Sequence, residues 1–230
     1  MIDLLREHPF FRDKTIDSCE YLEQQGYCNA NYVIVSEGKK YIARKLLRTD
    51  IDRHLEYKVQ GLAFEQSITA EPLAFDEENA FMVFAFLEGA HKEKLHKEDL
   101  KKLARVLSKL HSIECKNTPV NIEIQNKTDE LENAFQTIAG YPKEPVLCHN
   151  DLNPQNILFS DEVKFIDFEY AGVNDRYFDL ACVCVEFDLN KDSQSIFLDT
   201  YFKSTYSLEK LEAYKVIYKA LVEEWFKNML

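Results

Sequence analysis

The sequence predicts an α+β chain in two lobes, a strand-rich N-terminal lobe over residues 1–87 and a mainly helical C-terminal lobe over residues 88–230. Three observations predict it. β-rich runs such as YVIV at residues 32–35 and the unbroken apolar run AFMVFAFL at residues 80–87 crowd the first third of the chain. After Gly89 apolar residues recur at helical spacing. Between the two textures sits Glu88-Gly89, a break signal.

The elements follow in order. A small polar loop, QQGYCNAN at residues 24–31, precedes the first strand at 32–35, and Glu37-Gly38 turns it into a second at 41–47. Residues 50–65 show helical periodicity behind a Thr/Asp start. The run at 80–87 reads as a buried strand. Over residues 97–111, Leu100, Leu103, Ala104, Leu107 and Leu110 share one helical face. A further helix is expected over 127–138, ended by Pro142 and Pro145. Residues 157–159 and 163–166 flank Ser160-Asp161-Glu162 as a short hairpin, and residues 179–230 read as helical.

Composition narrows the function. The 230 residues include 46% hydrophobic types, with 16 Phe and 12 Tyr, so a packed core is expected and disorder is not. Six Gly and six Pro argue against a long linker. A net charge of -12 disfavours non-specific nucleic-acid binding and suits a cationic small molecule. The six cysteines form no CxxC pair and no zinc spacing, and read as reduced thiols. The first residues lack a signal-peptide run and no stretch reaches the ~18 apolar residues of a membrane span, so a soluble cytoplasmic protein without membrane insertion is expected. No stripe decides an oligomeric state.

The chemistry concentrates in HNDLNPQNILF, residues 149–159. His149, Asp151 and Asn156 have the spacing H-x-D-x-x-x-x-N, and Asp167-Phe168-Glu169 follows an apolar strand eleven residues later. Protein kinases carry H-R-D-L-x-x-x-N and then D-F-G. In phosphoryl transfer Asp151 would accept the proton of the attacking hydroxyl, while Asn156 and Asp167 would hold Mg²⁺. A hairpin between them would return both ligands to one place. His149 reads as a scaffold residue. A cation for the ATP phosphates is expected from KYIARKLL, where Arg44 and Lys45 compete on opposite strand faces; Arg44 is favoured, with Glu56 on the next helix as its partner. No GxGxxG is present, only Gly26, and Asn29 in the same polar loop joins Arg44 and Glu56 on the nucleotide side. No A-P-E follows and only 63 residues lie beyond Asp167, too few for a protein-kinase activation segment, so a small-molecule acceptor is expected.

HNDLNPQNILF with KFIDFEYAGVNDRYFDLACVCVEF resembles the choline/ethanolamine kinase family, within the group that includes aminoglycoside phosphotransferases, and is similar to its bacterial choline kinases. The strong match spans residues 148–187, with weaker similarity over NANYVIVSEGKKYIARKLL and the helix ending in SKLHS. The resemblance implies a two-lobed protein-kinase-like fold, ATP, Mg²⁺ and phosphorylation of choline. It maps the substrate pocket onto Tyr170 and Glu186, with Phe187 where a Trp is expected, and onto Trp225, the only Trp. A quaternary ammonium cannot donate hydrogen bonds and is held by aromatic faces and carboxylates, so Tyr170, Trp225 and Tyr177 are expected around Glu186. Asp179 is expected to bond backbone or Arg176 and to shape the site. Ethanolamine, thiamine and aminoglycosides are the alternative acceptors, and a nucleotide-binding pseudokinase is the alternative class.

Overall fold

The structure is a computed structural model that describes residues 1–23, 28–115 and 119–229. The chain divides into two compact units, Met1–Glu88 and Gly89–Leu230.

The first unit contains α1 (Ile2–Glu7), β1 (Ile16–Tyr21), β2 (Asn29–Ser36), β3 (Lys39–Leu46), α2 (Arg53–Glu65), β4 (Pro72–Asp76) and β5 (Phe81–Ala85). Its five strands form one antiparallel sheet in the order β1-β2-β3-β5-β4. The β2–β3 hairpin pairs Ser36 with Lys39 across a two-residue turn. Glu37 (φ 52°) and Gly38 (φ 74°) both lie in the left-handed region, as the twist of a tight hairpin demands. The apolar run at residues 80–87 is explained by β5 being buried on both faces. Phe81 and Val83 join Leu5, Phe11, Ile34 and Ala43 on one side, while Met82 and Phe84 join Leu46 and Ala70 on the other. Strand alternation thus feeds two apolar clusters at once. The helix expected from residue 50 starts three residues later, because the Asp52 side chain accepts from Leu55 N at 2.9 Å and caps α2. Asn29–Asn31, read as loop, belong to β2, and Gly26 with the rest of 24–27 lies outside the described residues.

The second unit contains α3 (Lys97–Leu110), α4 (Asp129–Ala139), β6 (Pro145–Cys148), a 3₁₀ turn at Pro154–Asn156, β7 (Ile157–Phe159), β8 (Val163–Phe165), β9 (Gly172–Asp175), α5 (Arg176–Glu186), α6 (Lys191–Phe202) and α7 (Leu208–Met229). β6 pairs with β9 and β7 with β8, both antiparallel. α3 buries the expected stripe of Leu100, Leu103, Ala104, Leu107 and Leu110. α5 is buried from Tyr177 through Cys184 and packs against α7 and β6, the position of a helix that is apolar nearly all round. α4 packs on α7 through Leu131, Ala134, Ala213 and Ile217. Gly89 lets the chain pass close to the hairpin: a Cβ there would stand 3.2 Å from Leu158 Cβ and 3.3 Å from Phe159 O. Beside it Ala90 and Phe159 exchange backbone hydrogen bonds of 2.9 Å.

None of the six cysteines forms a disulfide, and Cys28, Cys148, Cys182 and Cys184 are buried. Among the described residues no helix is long and apolar enough to cross a membrane.

Candidate active site

The 149–156 loop leaves β6 and ends in the 3₁₀ turn. Its start is fixed by one buried carboxylate. Asp179 on α5 accepts from His149 N and Asn150 N, both at 2.8 Å, and from His111 at 3.0 Å. Asn150 takes a left-handed backbone (φ 65°), and its side chain donates to Tyr170 O at 2.9 Å. An αL residue tolerates Asn better than most types. Asp179 therefore bonds backbone rather than Arg176. His149 is fully buried, donates through Nε2 to Ile166 O at 3.0 Å, and lies 4.7 Å from the Phe168 ring.

Asp151 and Asn156 are brought together. Asn156 Nδ2 donates to Asp151 Oδ2 at 2.7 Å and to Asp151 O at 2.9 Å, and Asn153 Nδ2 donates to Asp151 Oδ1 at 3.0 Å. With both hydrogens of the amide committed to Asp151, the Asn156 side-chain oxygen is the atom left for a cation. The hairpin does return Asp167 to Asn156: Ile166 N donates to Asn156 O at 3.0 Å, and Asp167 follows in a left-handed conformation (φ 66°). Burial pushes the Asp151 pKa above the usual carboxylate range. His149 and the two amide bonds oppose the shift, and the charge of Asp167 adds to it.

Glu186, the last residue of α5, is half-buried and accepts from Tyr218 OH of α7 at 2.8 Å. Burial raises its pKa, the Tyr218 bond lowers it, and the charge of Asp151 raises it. Tyr170 is half-buried in the turn after Asp167. Trp225 is half-buried on α7 with its ring 5.1 Å from Phe226, and stands seven residues beyond Tyr218, on the same helical face. Tyr177 does not belong with these rings. It is 3% exposed, its hydroxyl accepts from Ser207 N at 3.0 Å, and the Lys210 ammonium covers its face at 4.5 Å. The expectation that it lines the substrate pocket is corrected: it is a core ring.

In the first unit Arg44 on β3 donates to Glu56 Oε1 at 2.8 Å and to Asn31 Oδ1 at 3.1 Å. Lys45 points to the other face and donates to Asn79 O at 2.6 Å. Arg53 donates to Glu56 Oε2 at 2.6 Å and to Asn29 Oδ1 at 3.0 Å. Two guanidinium groups thus share one buried carboxylate, and Asn29 serves this cluster through its side chain, from a strand.

Sequence reasoning missed Arg53, His111, Tyr201, Tyr218 and Lys210. Arg53 carried a readable signal, its i,i+3 spacing to Glu56 on one helix. Lys210 carried none: its buried ammonium donates to Pro142 O at 2.9 Å and pairs with Asp175 at 2.8 Å and Glu144 at 3.1 Å, partners 35 to 68 positions away.

Residues 122–214 match the phosphotransferase enzyme family. The chain is 25% identical to Protein LicA of Haemophilus influenzae over 88% of this chain and 86% of that one. The chain is similar to choline and ethanolamine kinases. Human Ethanolamine kinase 1 is 39% identical over 38% of this chain and 20% of its own length. The choline kinase LicA from Streptococcus pneumoniae superposes with a TM-score of 0.82 at 22% identity, over 98% of this chain and 89% of that chain. The fold of the chain is therefore kinase-like, and its chemistry is phosphoryl transfer to a hydroxyl group.

Proposed function

We propose that the protein transfers the γ-phosphate of ATP to the hydroxyl of choline. One observation carries the reading. The loop and hairpin of the second unit gather acidic groups: Asn156 donates to Asp151 Oδ2 at 2.7 Å, Ile166 N bonds Asn156 O at 3.0 Å and so brings Asp167 beside it, and burial, with the charges of Asp167 and Asp151 adding to it, raises the pKa values of Asp151 and Glu186. Carboxylates gathered in this way favour cations, a divalent ion on one side and a cationic substrate on the other.

Asp151 orients the choline hydroxyl and takes its proton. Its place is supported by three amide hydrogen bonds from Asn156 and Asn153. Asn156 and Asp167 would hold Mg²⁺, which neutralises phosphate charge when bound. The donor set fits a hard cation, an amide oxygen oriented by Asp151 and a carboxylate. Arg44, held by Glu56, offers the guanidinium to the nucleotide phosphates, and Asn29 supports it through Arg53. Glu186 attracts the quaternary ammonium, with Tyr170 and Trp225 as aromatic faces worth about 0.5–2 kcal/mol each. His149 and Asp179 hold the loop. Six cysteines without a disulfide and the dependence on ATP support a cytoplasmic setting.

ADP release with Mg-ATP and, separately, choline, ethanolamine, thiamine, kanamycin and a generic peptide tests the reading. Choline should give the highest kcat/KM. Ethanolamine ahead of choline would keep the kinase and overturn the quaternary-ammonium pocket.

A further inference from the structure

A buried cluster extends from Asp179, behind the loop that carries Asp151. His111 at the end of α3, Cys148 at the end of β6 and Asp179 on α5 bring ligand-type atoms within 4.8 Å of one another. The grouping resembles a metal site, but every atom already has a protein partner. His111 Nδ1 faces Tyr201 OH at 2.6 Å and Nε2 faces Asp179 Oδ2 at 3.0 Å. The Cys148 thiol donates toward Asn174 O at 3.7 Å and Asp175 O at 3.6 Å. Burial and the charges of Asp179 and Asp175 push its pKa well up, so it stays a thiol and not a ligand thiolate.

We infer that Tyr201 is a positioning residue for phosphoryl transfer: its hydroxyl donates to His111 Nδ1 and holds the imidazole in the orientation from which Nε2 donates to Asp179, and Asp179 fixes the backbone from which Asp151 projects. The proton positions follow from the partners. An ionised carboxylate only accepts, so His111 Nε2 must carry a hydrogen. A neutral imidazole then has a lone pair on Nδ1, and Tyr201 O–H is its donor. Tyr201 is 5% exposed and His111 8%, so bulk water does not readily take over that role. The chain of bonds runs Tyr201–His111–Asp179 and splits to His149 N and Asn150 N, one residue before Asp151. It links α6, α3 and α5 to the loop. Without the hydroxyl, His111 Nδ1 keeps a buried lone pair with no donor, the ring is free to turn, and the bond it gives to Asp179 weakens.

The inference rests on Asp151 being the base, and the experiment separates the two. Steady-state ADP release with Mg-ATP and choline is measured for Tyr201→Phe, His111→Gln, the double variant and Asp151→Asn. Tyr201→Phe should lower kcat on the order of tenfold with the KM for ATP unchanged. A glutamine amide can donate to Asp179 without help from Tyr201, so Tyr201→Phe should cause little further loss in the His111→Gln background. Wild-type kcat in Tyr201→Phe, or equal losses in both backgrounds, overturns the inference. Normal turnover of Asp151→Asn overturns the assignment of the base instead. If Tyr201→Phe does not fold, ¹⁵N-histidine NMR of the wild-type protein decides: His111 protonated on Nε2 supports the relay, and on Nδ1 overturns it.

Discussion

The two units hold their functional side chains by opposite means. In the first, charge holds charge: Arg44 and Arg53 close on Glu56, all three buried. In the second, neutral amides hold the charge: Asp151 is fixed by Asn153 and Asn156, and the loop behind it by backbone N–H bonds to Asp179. The difference teaches what each arrangement is for. A guanidinium fixed by a carboxylate keeps its charge and can still turn a face to an anion. A base must change its own charge during the reaction, and a fixed counter-ion would resist that; amide donors do so less.

The largest effect should come from the neutral side. Asp151→Asn removes the proposed base and should lower kcat by about 10²–10⁴-fold, with the thermal stabilisation by Mg-ATP retained. Turnover near the wild-type rate would end the contrast, since Asp151 would then need no freedom from counter-charge.

On the charged side, Glu56→Gln leaves two buried guanidinium groups without their shared carboxylate. Loss of one partner from a buried pair costs about 3–5 kcal/mol, which thermal denaturation should show, together with a raised KM for ATP. An unchanged melting temperature would mean that the buried cluster contributes nothing to the first unit.

Glu186→Gln should raise the KM for choline about tenfold and leave that for ATP alone, because of the two proposed substrates only the cationic one is attracted by this carboxylate. A parallel rise for ATP would place its influence on the reaction centre instead.

The pH profile sharpens the same contrast. Asp151 and Glu186 both have raised pKa values, so each takes up its proton at a higher pH than a free carboxylate. As pH falls, kcat should decline with Asp151 and choline affinity with Glu186, both starting above the ordinary carboxylate range. For stability the sign is reversed: a raised folded pKa means the protonated form is favoured on folding, and that contribution is lost as pH rises through the folded pKa. Trp225→Phe should have the smallest effect, a two- to fivefold rise in the KM for choline, since one aromatic face replaces another.

Much of this was legible because spacing along the chain maps directly onto local geometry. H-x-D-x-x-x-x-N forces Asp151 and Asn156 around one 3₁₀ turn, and a hairpin with a three-residue loop must return Asp167 beside Asn156. The stripe on α3 was written in periodicity, and the double burial of β5 in an unbroken apolar run. α1, β1, β4 and β9 were not. α1 has six residues, too few to show a period. β4 begins with Pro72 at the sheet edge, where a missing N–H does no harm but where the sequence reads as a break. β9 is the four residues GVND, a turn-like string made a strand only by pairing with β6. Tyr201 and His111 lie 90 positions apart, and their bond exists only once α3 and α6 have packed.

Lys210 has a practical consequence for chemical footprinting. Its ammonium is 2% exposed and bound on three sides, so an amine-reactive reagent should pass it over while modifying the surface lysines. It meets a reagent only when the start of α7 leaves Pro142, Glu144 and Asp175. The rate at which Lys210 acquires label would therefore time the opening of this helix, from inside the native protein and without any mutation.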